Sequence, residues 1–225
     1  MNLKLADALA LAQSIEPNER SHQFLLAPPT PYLAYFATLI KKAAICAQDV
    51  SVVKGFGAFT GENSAELIKS CGVDYAIIGH SERRTTMLET NVVIKKKIEN
   101  CINAGITPIV CIGETMEARR NNSFKEFLLE QIQFIPENAH NLILAYEPIW
   151  SIGTGIAPRP EEIYEIVELI KNSKHVSLVA KNAQLVYGGS VSSKNFTEIT
   201  KIKGIGGVLI GSASLNREEL QLIVS

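Results

Sequence analysis

Short apolar runs alternate with stretches of helical spacing along almost the whole chain. The runs at 24–27, 43–47, 75–78, 108–112, 142–146, 184–187 and 208–210 are rich in Ile, Val, Leu, Ala and Tyr. They show no strict polar alternation, as expected of strands covered on both faces. Between them, apolar residues recur at three- and four-residue spacing near 3–14, 31–40, 63–70, 91–103, 123–134, 160–171, 193–200 and 216–223. These stretches are predicted helices. Several open with capping chemistry: Asn63-Ser64, Ser192-Ser193, and Pro160 followed by Glu161 and Glu162.

Strictly alternating strand and helix units imply a parallel sheet, and the fold class is α/β. The tally is seven strands and eight helices, and the chain opens on a helix. A closed parallel barrel wants an eighth strand, and the pattern places the missing one before Leu3. No linker or low-complexity stretch divides residues 1–225, so one domain is expected. The segment 3–12 has a faint look of a signal peptide, but Lys4 and Asp7 interrupt it. Leu5, Leu9 and Ala12 fall at helical spacing, and an amphipathic helix is the better reading.

Composition narrows the function classes. The 225 residues are 46% apolar and carry a net charge of −1. That balance gives no electrostatic case for nucleic acid or an anionic membrane as partner. No apolar run approaches the ~18 residues of a membrane span. The four cysteines, Cys46, Cys71, Cys101 and Cys111, form no Cys-x-x-Cys pair. They read as reduced core thiols of a cytosolic protein, without zinc or disulfides.

The candidate chemistry sits at the C-terminal ends of predicted strands, where parallel barrels keep their active sites. The strand at 142–146 runs into Glu147, then Pro148-Ile149-Trp150 and Ser151-Ile152-Gly153-Thr154-Gly155. A carboxylate among apolar neighbours has a raised pKa and suits a general base. The residues after it read as a stiff hinge and a glycine-rich tip able to close as a lid. The strand at 75–78 runs into Gly79-His80-Ser81-Glu82-Arg83-Arg84. If Ser81 starts a helical turn, His80 sits at a helix N-terminus, which favours a neutral imidazole that donates a hydrogen bond. Arg83 and Arg84 are expected in a salt-bridge cluster that fixes this loop. Tyr187-Gly188-Gly189-Ser190 and Gly211-Ser212-Ala213-Ser214 end the last two strands. Their small residues, with Gly153, suit a phosphate cradle. Taken singly, each of these motifs also reads as an ordinary surface glutamate, structural histidine or tight turn. His22, His140 and His175 fall in helix–strand connections and receive no role. Lys95-Lys96-Lys97 reads as a solvated helix face.

Together the motifs resemble the triosephosphate isomerase family. The similarity runs from Ala27-Pro28-Pro29 to the C-terminus in the family's order. It takes in Ala47-Gln48, Gly57-Ala58-Phe59-Thr60-Gly61-Glu62, Gly79 to Arg84, Cys111-Ile112-Gly113-Glu114, Ala145 to Trp150, Ile152 to Gly155, Tyr187 to Ser190 and Gly211 to Leu215. The resemblance implies a TIM (β/α)8 barrel that interconverts dihydroxyacetone phosphate and glyceraldehyde 3-phosphate through an enediolate, with no metal and no cofactor. It implies a place in glycolysis and gluconeogenesis, in the cytoplasm. By position, Glu147 resembles the family's proton-shuttling base and His80 its neutral electrophile, and triosephosphate isomerase is itself a reference case for these roles. Gly153, Ser190, Gly211 and Ser212 match the phosphate-binding positions. Residues 49–60 resemble a loop that docks into a second subunit, so a homodimer is implied.

Three positions depart from the family pattern. Ile156 stands where many relatives have lysine, and Ser212 where glycine is common. The family also begins with a strand that carries an asparagine and a substrate-contacting lysine. Met1-Asn2 resembles the pair that follows that lysine, so the expectation is a true start upstream of Met1. The alternative is a catalytically impaired or non-catalytic barrel homologue with a binding or structural role. A different phosphate-sugar barrel enzyme fits the two catalytic motifs poorly.

Overall fold

The structure, a computed structural model, describes residues 2–16, 23–179 and 183–225. Seven parallel strands form one sheet in sequence order, β1 (Leu25–Leu26), β2 (Ala44–Ala47), β3 (Tyr75–Ile78), β4 (Thr107–Ile112), β5 (Ile143–Tyr146), β6 (Gln184–Tyr187) and β7 (Gly207–Val208). Each strand pairs in parallel with its neighbour, and helices carry the chain back between them. These are seven of the eight strands of a closed (β/α)8 barrel. Among the described residues, no strand pairs with the outer edge of β1 or of β7.

The lack of polar alternation in the strands has a direct structural cause. Along β4, Val110 and Ile112 join the large core against the helices, while Ile109 and Cys111 join a second, smaller cluster. Ala145 in β5 and Cys46 in β2 also point into that cluster, which contains no helix residue. Successive side chains leave a strand on opposite faces. One face therefore packs on helices, and the other lines the inside of the curled sheet.

Most predicted elements fall in place, with shifted ends. The stretch at 31–40 divides into a 3₁₀ turn, Thr30–Tyr32, and a helix, Leu33–Leu39. The helix Ala65–Ser70 starts where Ser64 accepts a hydrogen bond from the Leu67 N–H. Pro160 opens the helix Pro160–Lys171, and Glu162 accepts from the Arg159 N–H. Near the C-terminus, the helix Phe196–Thr200 starts later than its serines suggested. Ser193 instead bonds Glu219 through both its N–H and its hydroxyl. Two short helices went unpredicted, Met116–Arg120 and Lys174–Val179. His175 belongs to the second of these and bonds the Ile135 carbonyl at 2.8 Å. His140 is exposed in its loop, and His22 lies outside the described residues.

Two readings of single residues need correction. Lys97 is 3% exposed rather than solvated. Its ammonium bonds both oxygens of Asp49, at 2.8 and 2.7 Å, and Glu89 Oε1 at 2.7 Å. It lies one turn after buried Ile94 and beside buried Ile98, on the inner face of the helix Asn91–Asn103. Cys71 is only partly buried, at the C-terminal end of a helix, while the other three thiols are core residues.

Past the strand ends the backbones stay close. The Glu147 N–H donates to the Ile112 carbonyl at 2.7 Å, and the Gly188 N–H to that of Tyr146 at 2.8 Å. Gly113 lies so near β5 that an added Cβ would sit 1.7 Å from the Glu147 carbonyl oxygen. Gly113→Ala must therefore push β4 and β5 apart. The expected cost is at least the upper end of the ~1–3 kcal/mol typical of overpacking. Gly207→Ala, in the strand β7, where a Cβ would meet only Val186 Cγ1 at an ordinary 3.4 Å, should stay within about 0.5 kcal/mol of wild type. Urea unfolding of the two variants checks this, and equal midpoints would contradict it.

Candidate active site

Glu147 follows β5 directly and is 1% exposed. Its Oε2 accepts a hydrogen bond from the Ser81 N–H at 3.3 Å. Its Oε1 has no hydrogen-bond partner among the described residues. His80 Nε2 lies 3.5 Å from that oxygen. A charged oxygen left with so little solvation is costly, so the proton-bound form gains. Burial holds the Glu147 carboxyl above the usual carboxylate range, against the opposing pull of His80, the Cys111 thiol, the Ser81 N–H and Arg84. The same burial, with Glu147 beside it, pushes the Cys111 thiol well up.

His80 caps the short helix Ser81–Thr85, accepting the Glu82 N–H at Nδ1 over 3.3 Å. An accepting Nδ1 needs its lone pair, which leaves the ring proton on Nε2, the nitrogen that faces Glu147. The turn before it depends on Gly79 at φ +70°, backbone that side-chain-bearing residues avoid. The strand β3 therefore ends in a reversal that presents the imidazole and the Ser81 N–H to the same carboxylate.

The sequence joined Arg83 and Arg84 in one salt-bridge cluster, and the structure separates them. Arg83 pairs with Asp49 at 3.1 Å and with Glu89. Arg84 reaches the carbonyls of Gly79 and Cys111 and the side-chain oxygen of Asn91. Among the described residues no carboxylate lies within ion-pair distance of it.

A second buried carboxylate, missed from the sequence, holds the chain that follows Glu147. Glu114 is fully buried, and its Oε1 accepts from Arg119 at 2.7 Å, the Tyr146 hydroxyl at 3.1 Å and the Trp150 indole at 3.0 Å. Gln131 clamps the backbone beside it, bonding both the N–H and the carbonyl of Gly113 at 3.0 Å. Trp150 is thus fixed at the start of the glycine-rich loop. Glu114 follows a strand end just as Glu147 does, and that placement was the available signal.

The remaining predicted residues are spread around the same rim. Gly153 stands in the exposed loop tip at φ +71°, in open space. Ser151, at the base of the loop, bonds the Ile156 carbonyl at 2.7 Å through its hydroxyl. Ser190 reaches the same base, its N–H donating to Ser151 Oγ at 3.3 Å and its hydroxyl to the Ser151 carbonyl. Gly211 and Ser212 are exposed where β7 passes into the 3₁₀ turn Ser212–Leu215. His80 and Glu147 are brought into contact, and Ser190 meets the loop. Gly211 and Ser212 share the end of the sheet without bonding to that group.

The raised Glu147 pKa carries a stability consequence. Its folded-state pKa exceeds its unfolded one, so ionisation in the native state costs free energy. That cost is absent below the unfolded value, near pH 4.3, and is fully present above the folded one. Glu147→Gln should therefore raise the urea midpoint at pH 7, and the gain should vanish near pH 4. A variant less stable than wild type at pH 7 would contradict the assigned burial cost.

Comparisons with known proteins identify the family. The family model described as triosephosphate isomerase matches residues 1–225. Among individual proteins, the triosephosphate isomerase of Orientia tsutsugamushi (strain Boryong) is 40% identical over 222 residues, spanning 96% of this chain and 89% of the relative. That of Dictyostelium discoideum is 38% identical over 222 residues, 94% of this chain and 85% of the relative. That of Buchnera aphidicola subsp. Schizaphis graminum is 42% identical over 214 residues, 91% and 84%. With the parallel barrel sheet and its paired strand-end groups, these matches show that the chain belongs to the triosephosphate isomerase family.

Proposed function

We propose that this isomerase interconverts dihydroxyacetone phosphate and glyceraldehyde 3-phosphate, with Glu147 as the base and His80 as the electrophile. One observation carries the reading. A buried carboxylate oxygen without a hydrogen bond stands 3.5 Å from an imidazole nitrogen at the C-terminal end of a parallel sheet. Glu147 takes the proton from the carbon next to the substrate carbonyl. His80 Nε2–H donates to the carbonyl oxygen as negative charge develops there. A proton passes from the neighbouring hydroxyl oxygen to the former carbonyl oxygen beside His80, Glu147 returns its proton to the former carbonyl carbon, and the carbonyl re-forms one position along. No net redox change occurs.

The substrate's phosphate needs backbone N–H groups, which Gly153, Ser190, Gly211 and Ser212 supply in this reading. The Ser190 N–H is engaged by Ser151, so phosphate binding and movement of the 151–155 loop are linked. Closure of that loop would exclude water from the enediolate. In this reading the Glu147 oxygen without a hydrogen bond is the one that takes the substrate proton. A homodimer is part of the reading. Phe56 and Phe59 are 76% and 53% exposed on a loop that Glu66 braces through the Gly55 N–H. That is an apolar tip suited to a second subunit. The cytoplasm is the proposed location. Among the described residues, no helix is long and apolar enough to cross a membrane.

Two substitutions test the assignment. Glu147→Gln should lower kcat by about 10²–10⁴-fold in a coupled isomerase assay. The same exchange at exposed Glu161 should leave kcat within twofold, and equal loss at both positions would remove Glu147 from its role. His80→Ala should lower kcat by about 10²–10³-fold with little change in KM. A raised KM with unchanged kcat would make His80 a binding group instead.

A further inference from the structure

Arg84 is a guanidinium held almost entirely by neutral oxygens. Nε donates to the Gly79 carbonyl at 2.8 Å, Nη1 to Asn91 Oδ1 at 2.8 Å and Nη2 to the Cys111 carbonyl at 2.9 Å. Those three acceptors belong to three pieces of the site: the turn before His80, the first residue of the helix Asn91–Asn103, and the strand β4 beside Glu147. A Cβ on Gly79 would stand 3.1 Å from Arg84 Nη2, so the glycine leaves room for the guanidinium.

We propose that Arg84 is a positioning residue for the reaction, clamping the ends of β3 and β4 and placing an unneutralised positive charge near Glu147. The inference rests on the reading of Glu147 as the base. A fork that serves three acceptors at fixed angles is a task for arginine and not for lysine. A positive charge bound to dipoles keeps its field, whereas one bound to a carboxylate largely loses it. The ionisable groups facing Arg84 are Cys111, Glu147 and Glu89. Glu89 is already bonded by Arg83 and Lys97, and burial keeps the Cys111 thiol protonated. Glu147 remains as the carboxylate that feels the charge. It is faced by His80, Cys111 and Arg84, with burial working against its ionised form. Arg84 therefore helps to keep the base ready to accept a proton at neutral pH.

Asn91→Asp separates this role from a merely structural one. The exchange is isosteric and keeps the hydrogen bond to Nη1. It places an acid in the first turn of a helix, which is favourable, and it neutralises Arg84. The test follows the Glu147 carboxyl by carbon-13 NMR titration, with Glu147→Gln to assign the signal. In Asn91→Asp the midpoint should rise by about one pH unit. Arg84→Met should raise it at least as far and lower kcat more than it changes KM. Arg84→Lys should restore the midpoint but not kcat. An unchanged midpoint in folded Asn91→Asp would overturn the proposal. So would failure of that variant to fold, since the neutrality of Asn91 would then serve folding. If Glu147→Gln keeps full turnover, the base assignment falls, while the NMR midpoints still report whether Arg84 acts on Glu147.

Discussion

The site turns on the Glu147 carboxylate, buried between the ends of neighbouring strands. One oxygen of Glu147 accepts the Ser81 N–H, and the other faces the His80 ring with no hydrogen bond among the described residues. Water would solvate that oxygen better than this pocket does. The arrangement persists because the neighbouring strand ends leave Glu147 little room to turn away. A Cβ on Gly113 would collide with its carbonyl, and one on Gly188 would come within 2.8 Å of its Cγ. Reactivity and strain thus share a cause, which is a proton acceptor kept short of solvation by rigid backbone.

That rigidity comes from the way β4 and β5 continue to bond past their ends. The Glu147 N–H reaches the Ile112 carbonyl, and the Ile149 N–H reaches the Glu114 carbonyl at 3.1 Å. Glu114 draws in Arg119, Tyr146 and Trp150, and Arg119 also lies 4.2 Å over the Phe124 ring. The loop that follows has fixed roots, and at its tip a Cβ added to Gly153 or Gly155 would meet nothing within 4 Å. The clamped roots suit the proposed closure of this loop over Glu147 and His80.

Local pattern made the frame of the protein readable. Strands buried on both faces showed as unbroken apolar runs, and Glu147 and His80 stood where those runs ended. Pairwise partners across the sheet were hidden. Arg83 and Arg84 are adjacent in sequence, yet one turns to Asp49 and Glu89 and the other to backbone carbonyls. Lys97 looked like its solvated neighbours because nothing local marks Asp49, 48 positions away, as its partner. Glu114 was legible as part of a motif, but its hold on Trp150 depends on how β4 and β5 align. What escaped the sequence is therefore long-range polar bonding.

The proposed reaction depends on a single base, Glu147, that moves a proton at the carbon next to the substrate carbonyl. Its most direct test is proton NMR of dihydroxyacetone phosphate incubated with the protein in deuterium oxide. A carboxylate fixed on one side of the bound substrate should exchange one of the two hydrogens on that carbon for deuterium and leave the other untouched. Absence of exchange, or equal exchange of both hydrogens under enzyme control, would contradict the account.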